Sequence, residues 1–178
     1  MVTSTAAYLG LLALVALQRL AELRLSRAHA GKAFARGGIE HGRTHFPAMA
    51  ALHAAFLASC ALETVLLRRP FPSALGWIAL GVFLFAQVLR YWAIASLGER
   101  WNVRIIVIPG EPLVRRGPYR FLRHPNYLAV ALEIASLPLV HGAFLTALVF
   151  SVANAALLRV RIRVEESALG LSTGSSRA

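Results

Sequence analysis

The chain alternates between long apolar runs and short basic stretches. Five runs stand out, at residues 8–25, 46–67, 75–97, 125–140 and 143–160. The second and third are long enough to cross a hydrocarbon core of about 30 Å. The last two fall short by a turn or less, and only His141-Gly142 separates them. They read as a helical hairpin, with a re-entrant hairpin as the alternative. The pattern predicts an all-α fold: a multispanning membrane helical bundle of about five transmembrane helices, closed by a C-terminal helical hairpin. Between the third and fourth runs, Val103-Arg104-Ile105-Ile106-Val107-Ile108 is β-branched and bounded by Pro109-Gly110. It is expected to be extended and to lie along the membrane surface. Residues 26–45 read as a loop, and the Gly/Ser-rich stretch 170–178 as a disordered tail. The chain is taken as one domain over 1–178, with a three-span part (1–97) and a part holding loop, hairpin and acidic end (98–169).

Polar residues interrupt the apolar runs at matched places. Counted inward from the basic end of each run, Arg19, His53, Arg90, Glu133 and Asn154 all lie roughly 9–12 Å deep. Isolated ionisable groups at such depth need partners. One shared buried network is expected, with Arg90 and Glu133 as its ion pair. Glu63 lies near the opposite end, within reach of Arg68 or Arg69.

Charge placement sets the orientation. The net charge is +11, and 57% of residues are hydrophobic. Arginines and lysine gather after the first, third and fifth runs, while the opposite side carries only Arg68 and Arg69. This bias places the N-terminus outside and the C-terminus in the cytoplasm, in a membrane such as the bacterial inner membrane. It also argues against nucleic acid as the partner, since the basic residues lie between apolar runs and not on a polar domain surface. No Lys or Arg precedes Arg19, so the first run reads as a retained span and not a cleaved signal. Cys60 is the single cysteine, which excludes disulfides within the chain and cysteine-based zinc sites. His41 and His45 have i, i+4 spacing but no third ligand nearby. They read as exposed loop histidines, and no metal is expected.

The densest chemistry lies in Gly117-Pro118-Tyr119-Arg120-Phe121-Leu122-Arg123-His124-Pro125-Asn126-Tyr127. Pro118 and Pro125 each suit the first turn of a helix. His124 would sit at an N-cap, beside free N–H groups and the positive end of the helix dipole, where an anionic group binds. The same residues also suit a basic interfacial anchor with aromatic belt residues. The residues alone leave both readings open.

These motifs, together with Leu113-Val114 and Arg161-Ile162-Arg163-Val164-Glu165-Glu166 with Leu169, resemble the isoprenylcysteine carboxyl methyltransferase family over roughly residues 75–169. Related membrane methyltransferases act on phospholipid amines, and bacterial members on alkylpyrone-type polyketides. The resemblance implies a multispanning enzyme that uses S-adenosylmethionine at the cytoplasmic membrane face. It implies that Pro112, Leu113 and Val114 line the cofactor, and that Tyr119, His124, Pro125, Asn126 and Tyr127 hold it. It further implies that Glu165 and Glu166 close the site, with either as the cofactor-binding acid, and that Arg159 or Arg161 faces the substrate. The expected acceptor is a carboxylate or hydroxyl on a prenyl or polyketide lipid. No catalytic base stands out, and His124 and Glu165 are the candidates. The sequence departs from the family after the acidic pair, where 170–178 lacks the amphipathic segment many members carry. Two other readings stay open. Membrane sterol reductases that use NADPH carry a motif similar to Arg-His-Pro-Asn-Tyr, and a non-catalytic membrane scaffold would keep the fold alone.

Overall fold

The computed structural model describes residues 2–171. It contains five α-helices among the described residues: α1 (Val2–Ala35), α2 (His45–Leu66), α3 (Ser73–Leu97), α4 (Pro125–Leu139) and α5 (Phe144–Ala168). The tail expected at 170–178 falls almost wholly outside the described residues. Helices α1, α2, α3 and α5 are long and apolar enough to cross a membrane. Helix α4 has 15 residues, about 22 Å of rise, and lies in the middle of the packing, with Glu133, Ile134, Leu137 and Pro138 buried. The protein is an integral membrane helical bundle, and α4–α5 form the hairpin expected from sequence.

The outward faces carry large apolar side chains, as lipid requires. Leu14 and Leu17 of α1, Trp77, Phe85 and Val88 of α3, and Leu148 and Val152 of α5 are all exposed. The inward face of α3 is built largely from small residues, Gly76, Ala79, Ala86, Ala93 and Ser96, spaced at three and seven. Small residues let neighbouring backbones approach closely where lipid removes the hydrophobic drive for helix association. Helix α3 accordingly packs most extensively on α4.

The connections differ between the two ends. At one end short loops join α2 to α3 and α4 to α5. There the Tyr8 hydroxyl donates to the Leu137 carbonyl at 3.1 Å, and the Tyr8 and His141 rings stack. Glu63 pairs with Arg69 at 3.1 Å, one of the two partners expected, and also accepts the N–H groups of Leu145 and Thr146 at 3.2 and 2.7 Å. Its carboxylate thus caps the N-terminus of α5, whose first N–H groups have no partner within the helix.

The other, basic end holds the long connections and the main correction to the sequence reading. Residues 26–35 are not loop: α1 continues to Ala35. This extension docks against the segment after α3. The Ser26 hydroxyl donates to Asn102 Oδ1 at 2.7 Å and accepts the Val103 N–H at 3.1 Å. His29 Nδ1 donates to the carbonyl of Trp101, which is fully buried. The run 103–108 is extended only in part, and as a strand it has a partner. β2 (Ile105–Val107) pairs antiparallel with β1 (Ile39–His41), Glu40 opposite Ile106. His41 ends that strand and His45 begins α2, so the two histidines share no helix face.

Candidate active site

Gly117 opens the motif region and can only be glycine. Its φ is +57°, and a Cβ there would sit 1.9 Å from Ser96 Oγ. The tight approach lets Arg116 donate from Nε to the Ser96 carbonyl at 2.7 Å, pinning the loop to the end of α3. A short 3-10 turn, Gly117–Arg120, follows with Pro118 in its first positions. The chain then enters α4 with His124 at the N-cap and Pro125 in the first turn. The His124 side chain does not cap that helix. It turns instead to α5, where Nε2 lies 3.1 Å from Glu166 Oε1.

The start of α4 and the end of α5 thus meet as neighbouring pairs. The Tyr127 hydroxyl donates to Glu165 Oε2. The His124 and Tyr127 rings stack with centroids 5.5 Å apart. Arg161 stands over the Tyr127 ring and donates to the Val103 carbonyl at 2.8 Å. Burial, and beside it the Glu165 carboxylate, push the Tyr119 phenol well above its usual range. Tyr119 therefore stays a neutral hydroxyl.

These groups line one end of a cavity of about 970 Å³. Its wall includes Pro112, Leu113, Val114, Tyr119, His124, Asn126, Tyr127, Arg161 and Glu165. Pro125 is buried in the helix start behind it, and Glu166 reaches it only through His124. Arg161 is buried, whereas Arg159 is exposed and does not line the cavity. The roof is the segment 97–111 and the α1 extension, held together by Lys32–Glu99, Arg36–Glu111 and Arg100–Glu111 pairs. The exposed Glu99 carboxyl is held below its usual range by the Lys32 ammonium that donates to it.

The cavity runs inward from this polar mouth. Leu20, Leu23, Leu57, Val130, Leu157 and Leu158 form an apolar middle. At its deep end lie Arg19, Glu22, His53, Arg90 and Asn154. Arg90 and Arg19 each donate to Glu133 Oε2 at 2.7 Å. Gln87 donates to the same oxygen at 3.0 Å. Arg19 also pairs with Glu22. The expected Arg90–Glu133 pair is therefore present, but His53 and Asn154 are not its hydrogen-bond partners. Glu22 and Gln87 take those places. Their spacing of three from Arg19 and from Arg90 on a helix was the available signal.

A polytopic helical bundle with a large cavity, polar at its mouth, apolar in the middle and charged at its deep end, is the architecture of a membrane enzyme or a membrane binding protein. Residues 77–170 match the isoprenylcysteine carboxyl methyltransferase (ICMT) family, and the chain belongs to that family. Membership assigns the general class of activity, that of a membrane methyltransferase. The chain is 42% identical over 160 residues to the uncharacterized protein YpbQ of Bacillus subtilis, covering 89% of this chain and 94% of that one. It is 32% identical over 152 residues to an uncharacterized protein of Haemophilus influenzae, covering 85% and 88%. Alignments of this length extend across α2 and into α1, beyond the segment the family match covers.

Proposed function

We propose that the protein transfers a methyl group from S-adenosylmethionine to a lipophilic small molecule, O-methylating a carboxylate or hydroxyl on a prenyl or polyketide lipid. The observation that carries this reading is one cavity that joins a polar mouth to an apolar middle. Its size lies at the upper end of the roughly 300–1,000 Å³ of small-molecule sites. A polar donor fits the mouth, and an apolar chain fits the middle.

The mouth suits the donor group by group. The first turn of α4 has no side-chain cap, so its N–H groups and helix dipole are free for a carboxylate. Asn126 Oδ1 is buried without a partner and can accept from an ammonium or hydroxyl. Glu165 lines the cavity and suits ribose hydroxyls or the ammonium. Pro112, Leu113 and Val114 offer apolar surface for a base. When bound, the cofactor supplies an activated methyl group.

The chain's own residues supply binding, alignment and exclusion of water. Tyr119 remains protonated and donates. Arg161, buried beside Tyr127, faces the acceptor's negative charge. A carboxylate acceptor needs no base. A hydroxyl does, and His124, oriented by Glu166, and Glu165 are the groups placed to take its proton. The basic loops would face the cytoplasm of a bacterial inner membrane, with the N-terminus outside. The bilayer and the lipophilic acceptor are the partners, and neither nucleic acid nor a metal enters this reading.

The test is thermal unfolding of the purified protein with S-adenosylmethionine or NADPH, followed by transfer of labelled methyl to a membrane lipid extract. Stabilisation by S-adenosylmethionine and a labelled lipid product are expected. Protection by NADPH instead would favour the reductase reading. Cofactor binding without any product would favour a scaffold.

A further inference from the structure

The deep end of the cavity has chemistry that the transfer reaction does not use. Two arginines and two glutamates meet there: Arg19 and Arg90 against Glu22 and Glu133. The charges balance, so the cluster has no net attraction for an ion entering from the apolar middle. Two further polar groups face the cavity without belonging to the cluster. Asn154 is 2% exposed, and its Oδ1 has no partner. Leaving a buried amide unpaired is costly, and a ligand that bonds to it recovers part of that cost. His53 Nδ1 lies 2.9 Å from the Met49 carbonyl. A carbonyl only accepts, so Nδ1 carries the hydrogen, and in the neutral ring Nε2 presents a lone pair. His53 and Asn154 line the same cavity, and no side-chain hydrogen bond engages the Asn154 amide among the described residues, so its Nδ2 offers a donor and His53 Nε2 an acceptor. A hydroxyl group matches both, accepting from Asn154 Nδ2 and donating to His53 Nε2.

Position separates this pair from the transfer chemistry. Asn154 and Glu165 lie on the same helix, about 16 Å apart along its axis. The wall between them is apolar, with Leu157 and Leu158 on that helix. A purely alkyl chain would leave the Asn154 Nδ2 donor without an acceptor, whereas a chain ending in a hydroxyl would supply one.

We propose that His53 and Asn154 form a second polar subsite, which binds an uncharged hydroxyl on the acceptor's chain, remote from the atom that is methylated. This rests on the methyltransferase reading above. The acceptor class is then narrowed to long amphiphiles with a polar group at each end.

The experiment compares dodecanoate with ω-hydroxydodecanoate by isothermal titration of the detergent-solubilised protein, with micelle partition of each probe measured separately. Wild type should bind the hydroxylated probe about tenfold more tightly, the gain of one to two neutral hydrogen bonds. His53→Phe and Asn154→Leu should each reduce that preference to near onefold and leave S-adenosylmethionine affinity unchanged. No preference in wild type, or a preference kept in both variants, overturns the subsite. The wild-type comparison needs neither variant to fold. Failure of S-adenosylmethionine to bind would instead defeat the methyltransferase reading, while the hydroxyl preference is read without the cofactor.

Discussion

Arg90 of α3 and Glu133 of α4 meet inside the bundle, Nη2 to Oε2 at 2.7 Å, and both are almost fully buried. The pair belongs to a group of four charges, which decides what its loss does. Glu133→Leu leaves two arginines against Glu22 alone. Arg90→Leu leaves one arginine against two glutamates. Each should destabilise by about 3–5 kcal/mol. The double variant leaves Arg19 with Glu22, a balanced pair, and should recover much of the loss. Denaturation of the three variants in detergent checks this, and strictly additive losses would contradict it.

How far the sequence foretold this arrangement can be seen in the same residues. Matched depth identified Arg19, Arg90 and Glu133, because a charge in lipid is conspicuous. Gln87 and Glu22 do not stand out in the same way, because a polar residue one turn from an arginine looks like its local companion. The α4 motif and the acidic end were legible, since each carries its chemistry in consecutive residues. The cavity roof was not. Ser26, His29 and Trp101 come together only by tertiary docking, and a Gly- and Arg-rich stretch such as 26–45 gives no periodicity to show that α1 continues into it. Nor does a three-residue strand reveal its partner, since β1 and β2 are separated by two spans.

Gly117 makes a second prediction. Gly117→Ala meets both the left-handed backbone and Ser96 Oγ. The expected loss is about 2–4 kcal/mol, combining the φ penalty with overpacking. Adding Ser96→Gly should restore only the part due to Ser96, since Trp92 Nε1 would still lie 3.0 Å from the new Cβ. Full recovery of the melting temperature would show that the backbone conformation is unstrained, against this account.

Glu63 stabilises the α4–α5 hairpin mainly by capping α5, with the ion pair secondary. Glu63→Ala should cost about 1–3 kcal/mol, because two backbone N–H groups lose their acceptor. Arg69→Ala should cost under about 1 kcal/mol, since Arg69 is partly exposed to solvent. Equal melting-temperature losses in the two variants would reverse that ranking.

Orientation can be measured with the native cysteine in place, because Cys60 is buried. Lys32→Cys and Arg115→Cys put exposed thiols at the basic end. A membrane-impermeant maleimide should leave both unlabelled in intact cells and label both once the membrane is opened. Labelling of intact cells would invert the proposed topology.

The two adjacent glutamates should behave differently. Glu165 lines the cavity, and Glu166 supports His124 from outside it. Glu165→Gln keeps the shape but removes a charged acceptor, and charge-assisted hydrogen bonds are worth about 1.5–3 kcal/mol. S-adenosylmethionine affinity should fall roughly tenfold or more. Glu166→Gln keeps an oxygen for His124, so its effect on affinity should be smaller. If the His124 ring takes the acceptor's proton, Glu166→Gln should lower kcat more than KM, because the lost partner is the one that stabilises the imidazolium. Titration calorimetry and steady-state rates separate the two. A larger affinity loss in Glu166→Gln than in Glu165→Gln would move the cofactor-binding acid to the other residue.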